Sequence, residues 1–100
     1  MIYAIEILPS ARREWKKLGP DIKRQAVRKL EHLCVNPRVT SAQLSDMPDC
    51  YKIKLRSVGY RIIYQVVDDR LVIVIVAAGK RDAGKNDIYD VAKQRVIGKR

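Results

Sequence analysis

Residues 50–66 read CYKIKLRSVGYRIIYQV, and their alternation sets the fold. Tyr51, Ile53 and Leu55 interleave with Lys52, Lys54 and Arg56, the period-two pattern of a strand with one face buried and one in water. Past Val58-Gly59, the run Tyr60, Arg61, Ile62, Ile63, Tyr64 is β-branched and aromatic, hence strand-forming. Two such runs joined by a short turn make an antiparallel hairpin. With Val58 and Gly59 as the loop residues, Arg56 faces Arg61, which places Arg61 on the face of Lys52 and Lys54. Directly opposed like charges cost a sheet about 0.2–1 kcal/mol per pair. Valine suits the positive φ of tight hairpin turns poorly, so a bulge is the alternative, and a slip of one residue sends Arg61 to the other face. A charged outer face is ordinary on a solvated sheet. An opposed arginine pair is not something folding selects, and it points to a polyanionic ligand.

On the N-terminal side, Ile2 to Leu8 reads as a strand. Pro9-Ser10 opens a helix with Ala11, Trp15 and Leu18 on one stripe, and Gly19 ends it. Pro20 and Asp21 begin a second helix whose stripe is Ile22, Ala26, Leu30 and Leu33, closed by Asn36-Pro37. The opposite faces of this helical hairpin carry Arg12, Arg13, Lys16, Lys17, Lys23, Arg24, Arg28 and Lys29, nearly all of one sign. On the C-terminal side, a strand from Arg70 to Ala78 contains LVIVIVAA, a run without alternation, as expected of a strand covered on both faces. It delivers Gly79, Lys80 and Arg81 to the sheet edge. Asn86 caps a last helix that buries Ile88, Val91, Ala92 and Val96 and carries Tyr89 in its first turn. The expected architecture is α+β: an antiparallel-rich sheet of about four strands, a helical hairpin on one face and a short C-terminal helix.

The 100 residues suffice for one domain with one core, spanning 1–100. A formal charge of +10, spread along the chain, favours a polyanion as partner. No apolar run is long enough to span a bilayer, no lipidation signal is present and MIYAIEI lacks the basic start of an export signal, so a cytoplasmic protein with no membrane partner is expected. Cys34 and Cys50 sit in no metal-like spacing and read as buried thiols. His32 is the single histidine, which excludes a histidine acid–base pair. The carboxylates are scattered beside Lys and Arg, and neither a metal site nor a cofactor is expected.

The run MPDCYKIKLRSVGYRIIYQVVDD, preceded by REWKKLG and NPR and followed by VAAGKR, resembles the RelE toxins of bacterial toxin–antitoxin pairs over most of the chain. The resemblance implies an endoribonuclease that enters the ribosomal decoding site and cuts the messenger RNA held there. ParE-type relatives share the fold and poison DNA gyrase, and they lack this full cationic set. RNA can be cleaved without metal or histidine when its own 2′-hydroxyl attacks the adjacent phosphorus, leaving a 2′,3′-cyclic phosphate and a 5′-hydroxyl. The protein must then accept the 2′ proton, stabilise the phosphorane charge and protonate the departing oxygen. Clustered cations suit the second task, and neighbouring positive charge favours the neutral form of a lysine, which suits the first.

By resemblance, Lys54 is the base with Lys52 assisting, Arg61 is the transition-state clamp, and Arg81 donates to or neutralises the leaving oxygen, Lys52 being the alternative donor. Tyr89 matches the family tyrosine that stacks on a base; the segment DAGKNDI before it is longer than the RelE pattern. Arg56 and Lys80 are expected on phosphate, and Tyr60 and Tyr64 in the sheet packing. The partners implied are the ribosome with its small-subunit RNA, messenger RNA, and an acidic RelB-like antitoxin that covers the cations and displaces or blocks the C-terminal helix. A non-catalytic ribosome-binding inhibitor and a ParE-like gyrase poison are the rival readings.

Overall fold

The computed structural model describes residues 2–55, 59–80 and 88–98. Strands β1 (Ala4–Ile7), β2 (Cys50–Lys54), β3 (Tyr60–Val67) and β4 (Val72–Lys80) form one sheet in the order β1-β4-β3-β2. Helices α1 (Pro9–Lys17) and α2 (Pro20–Val35) follow β1, and α3 (Ile88–Gly98) follows β4. β2, β3 and β4 are antiparallel neighbours, whereas β1 runs parallel to β4. The fold is therefore α+β with an antiparallel-rich sheet of four strands, as expected, and the parallel pairing of β1 with β4 makes that sheet mixed.

Several boundaries differ from the sequence reading for identifiable reasons. β1 is shorter than Ile2 to Leu8 because the Tyr3 N–H bonds the Cys34 carbonyl at 2.8 Å, and Pro9 already starts α1. β4 starts at Val72 because Asp68–Arg70 form a 3-10 turn and Leu71 adopts a left-handed φ of 52°, which reverses the chain. It also runs on to Lys80, so Gly79 and Lys80 are paired strand residues. Proline at the first position starts both α1 and α2, where its missing N–H costs nothing.

The core has two layers. On one side of the sheet, Tyr51, Ile53, Leu55, Ile62, Tyr64, Ile73 and Ile75 pack with Leu18, Ala26 and Leu30 of the helical hairpin, and Trp15, Ile22 and Leu33 press half-buried against them. On the other side, Cys50, Ile63, Val76 and Ala77 pack with Met47 and with Ile88 and Ala92 of α3. Val72 to Ala78 are all buried, which is why β4 shows no polar alternation. Tyr51 and Tyr64 stack across the β2–β3 pair with ring centroids 5.5 Å apart, and the Tyr64 hydroxyl donates to the Pro37 carbonyl at 2.8 Å. Among the described residues, no helix is long and apolar enough to cross a membrane.

The hairpin register corrects one expectation. Lys54, not Arg56, stands opposite Arg61, and Lys52 stands opposite Ile63. The Leu55 N–H bonds the Tyr60 carbonyl at 3.2 Å, in the same register, which differs from that of a two-residue Val58-Gly59 turn. The shift is by two positions. Because side chains alternate with period two, an even shift preserves the face, and Arg61 stays with Lys52 and Lys54.

Candidate functional site

β2 is an edge strand, and its even-numbered side chains face the layer that α3 covers. Cys50 at the start of this row is buried; Lys52 is half-buried and Lys54 exposed, so the row climbs from core to solvent along the strand. Arg61 joins it from β3. Since Leu55 and Tyr60 form a hydrogen-bonded pair, the adjacent Lys54–Arg61 pair is of the non-hydrogen-bonded kind, whose Cα atoms are about 4.5 Å apart and whose side chains stand closest. Two cations are thus held side by side on a rigid scaffold, with Lys52 one pair further in.

Arg61 is set for an anion. Its Nη1 donates to the Tyr60 carbonyl at 3.0 Å, while its Nε–H is buried and has no hydrogen-bond partner among the described residues. An unsatisfied buried donor costs about 1–3 kcal/mol, which a phosphate oxygen could relieve. On its other flank Arg61 faces Gly79, where a side chain is lacking, and among the described residues nothing lies within 4 Å of where its Cβ would stand.

Tyr89 is brought to the same layer: it lies half-buried in the first turn of α3 and packs against the cluster that contains Ile63, the cross-strand neighbour of Lys52. Arg56 and Arg81, the expected phosphate contact and proton donor, and Asn86, the expected helix cap, fall outside the described residues. Lys80 is exposed at the end of β4 opposite Tyr60, hence on the other face of the sheet from Arg61. It lines a pocket of about 260 Å³ with Glu14, Lys17, Leu18, Tyr60, Ala78 and Gly79. Tyr64 is fully buried and Tyr60 half-buried against the helical-hairpin core, as their packing role requires.

The helix cations do not converge on Arg61. Arg12, Arg13, Lys16, Lys17, Arg24, Arg28 and Lys29 are exposed and Lys23 half-buried, on the layer opposite α3. Arg24 pairs with Asp21. Lys29 and His32 do reach around to the outer edge of β2, where they line a groove of about 320 Å³ with Lys52 and Lys54, floored by Leu33, Val39, Ala42, Ile53 and Tyr64. The basic surface is thus continuous from α2 to the site, and the lone histidine lies in it.

A second set of residues, which the sequence reading left without a role, holds β2 in place. Arg38 donates to Asp49 at 2.9 Å, to the Tyr51 hydroxyl at 3.2 Å and to Asp68 at 2.6 Å, and the Tyr3 hydroxyl donates to Asp68 at 2.6 Å. These bonds tie the start of β2 to the β3–β4 turn and to the N-terminal segment. The hydrogen bonds from Tyr3 and then Arg38 hold the Asp68 carboxyl below its ordinary range, and the same carboxylate raises the Tyr3 phenol and the Arg38 guanidinium. The thiols are free: Cys34 is half-buried, and burial pushes the Cys50 thiol up to about 11. Among the described residues, no group of three or more His, Cys, Asp and Glu is placed to hold a metal ion.

Residues 5–83 match the model of the ParE toxin of type II toxin–antitoxin systems. The chain is 40% identical over 97 residues to the mRNA interferase toxin RelE of Escherichia coli K12, covering 97% of this chain and 100% of that protein. It superimposes on a free-state arginine double mutant of the E. coli toxin RelE with a TM-score of 0.86 at 41% identity, covering 96% of this chain and 99% of the other. Against the toxin of the intact E. coli RelBE toxin–antitoxin complex the TM-score is 0.76 at 42% identity, covering 80% and 98%.

Proposed function

The chain belongs to the ParE toxin family of type II toxin–antitoxin systems, and from its full-length likeness to an mRNA interferase we propose that it is a ribosome-dependent endoribonuclease of the RelE kind. The observation that carries the reading is the Lys54–Arg61 pair: two cations opposed across a hairpin, with an Arg61 donor that has no partner among the described residues, in a chain that matches an mRNA interferase over 97% of its length. The 2′-hydroxyl of the message is the nucleophile. Lys54 accepts its proton with Lys52 assisting, Arg61 stabilises the charge that builds on the phosphorane, and Arg81 serves the leaving 5′-oxygen, with Lys52 as the alternative donor. Tyr89 stacks on a base of the substrate. Arg56 contacts a neighbouring phosphate, and Lys80, on the other face of the sheet, engages ribosomal RNA with the cations of α1 and α2.

Such an activity requires restraint by a partner that covers the cations. A RelB-like antitoxin fills this role, as the toxin of the RelBE complex is paired with its antitoxin. A hairpin face is rigid, but a free RNA strand is not held with its 2′-oxygen in line with the scissile bond; the ribosome supplies that alignment.

The test is to incubate the purified chain with programmed ribosomes and map message ends by primer extension, using parallel messages with a 2′-deoxy or 2′-O-methyl nucleotide at the cut site. Discrete cuts in the decoding site of the ribose message, with the modified messages bound but whole, are expected. Cleavage of the deoxy message would overturn the mechanism. An intact ribose message on stalled ribosomes would make the chain an occupancy inhibitor, and no effect on translation would leave gyrase as the target to assay.

A further inference from the structure

α3 rests on the sheet through Ile88, Ala92, Tyr89 and Val96. Apolar contacts of this kind are non-directional, and a helix of 11 residues is marginal by itself, so they leave its rotation and its position along the sheet weakly specified. A polar fork specifies both. Arg95 donates through Nη1 to Glu14 Oε1 at 2.8 Å and to the Val76 carbonyl at 2.9 Å, and through Nη2 to Glu14 Oε2 at 2.8 Å. Glu14 Oε1 also accepts the Ala78 N–H at 3.1 Å.

The location has a cause. β1 pairs with β4 only as far as Ile75, so among the described residues the β4 edge beyond it has no neighbouring strand. Val76 is also the residue that the irregularity between Ile63 and Tyr64 leaves without an opposite number on β3. Backbone groups exposed at that break need partners, and one side chain from α1 and one from α3 supply them. The side chains of Arg95 and Glu14 are only 21% and 30% exposed, which sets this fork apart from the exposed Lys93–Asp46 pair at 3.2 Å that also ties α3.

We infer that Glu14 and Arg95 are positioning residues for messenger RNA cleavage: their fork fixes α3 so that Tyr89 meets the substrate beside Lys52, Lys54 and Arg61. Neither residue touches RNA. The inference rests on the endoribonuclease reading above, and it assigns the coupling to Tyr89 specifically.

The test combines single-turnover cleavage on programmed ribosomes, as a function of toxin concentration, with amide hydrogen exchange of the free protein, all at a temperature where each variant is folded. Arg95→Met is expected to lower the saturating rate by roughly 10–100-fold, the range a small misplacement can cost, while the half-saturating concentration changes less than about threefold. Arg95→Lys, which keeps one charged donor, recovers part of the rate, and Glu14→Gln combined with Arg95→Met is no slower than the slower single variant. In a Tyr89→Ala background, Arg95→Met costs less than about twofold. Asp46→Asn, which removes the exposed tie, leaves the rate within about twofold. Exchange of α3 amides rises in Arg95→Met while β3 and β4 amides stay protected. A saturating rate unchanged in Arg95→Met, or an equal penalty with and without Tyr89, would overturn the inference. If the parent chain cuts no message, the endoribonuclease reading fails instead; α3 exchange in Arg95→Met then still decides whether the fork positions the helix, and unchanged exchange removes that role.

Discussion

Lys54 and Arg61 face each other directly across the β2–β3 ladder, in the closer of the two kinds of antiparallel pair. Folding and function pull in opposite directions there. The opposed charges cost about 0.2–1 kcal/mol, and the buried Arg61 Nε–H lacks a partner among the described residues. Arg61→Met is therefore expected to raise the unfolding free energy by about 1 kcal/mol while the saturated cleavage rate falls by about 10²–10³, the range for losing a preorganised electrostatic donor. Denaturant unfolding and single-turnover cleavage, measured on the same preparation, check the two signs. A variant that is both less stable and fully active would remove Arg61 from the site.

Lys54→Arg separates charge from proton transfer. The guanidinium keeps the positive charge of the pair and stays protonated throughout the working pH range, so it cannot accept the 2′ proton. Ribosome binding should survive, and the chemical step should slow by roughly 10²–10⁴, the contribution of a positioned general base. Near-parental cleavage would leave Lys54 an electrostatic residue and pass the base role to Lys52, water or the ribosome.

Exposed cations on α1 should behave in the opposite way. Replacing Arg12, Arg13, Lys16 and Lys17 together by glutamine removes charges that lie on the layer away from Arg61. Affinity for ribosomes should drop and its salt dependence should flatten, because fewer counterions are released on binding. The rate at saturation should change less than about threefold. Loss of saturated cleavage would put the chemistry on the helical surface.

The Tyr3–Asp68–Arg38 cluster makes a pH-dependent contribution to stability with a defined sign. The Asp68 carboxyl is lowered in the folded chain by the hydrogen bonds from Tyr3 and Arg38, so its contribution is complete above the ordinary aspartate value of about 3.9 and is lost as pH falls through the depressed one. Tyr3 is raised by the same bond, so its contribution is complete below the ordinary phenol value of about 10 and is lost as pH rises through the elevated one. The stability difference between the parent and Asp68→Asn should be flat from about pH 5 to 9 and shrink outside that window. Urea unfolding across pH measures it; a difference that keeps growing below pH 4 contradicts the assignment.

What could be read from the sequence were the features that depend on neighbours a few residues away. The alternation in CYKIKLR assigned Lys52 and Lys54 to one face, proline at positions 9 and 20 marked two helix starts, and the unbroken run around Ile73 and Ile75 marked the strand buried on both sides. The face of Arg61 was legible for the same reason, since the hairpin register differs by two positions and parity survived. The register itself was not, because it is set by how the connection closes and not by the pattern of either strand. Only the tertiary structure joined residues far apart in the chain: Ala4–Ile7 parallel to Val72–Ile75, Arg38 with Asp68, and Glu14 with Arg95. Charged residues at such positions look like ordinary solvated side chains in a sequence with 21 lysines and arginines. What distinguishes them is the backbone they satisfy or the strand they pin, and that depends on where a strand ends and a bulge falls, which packing decides after the local pattern has done its part.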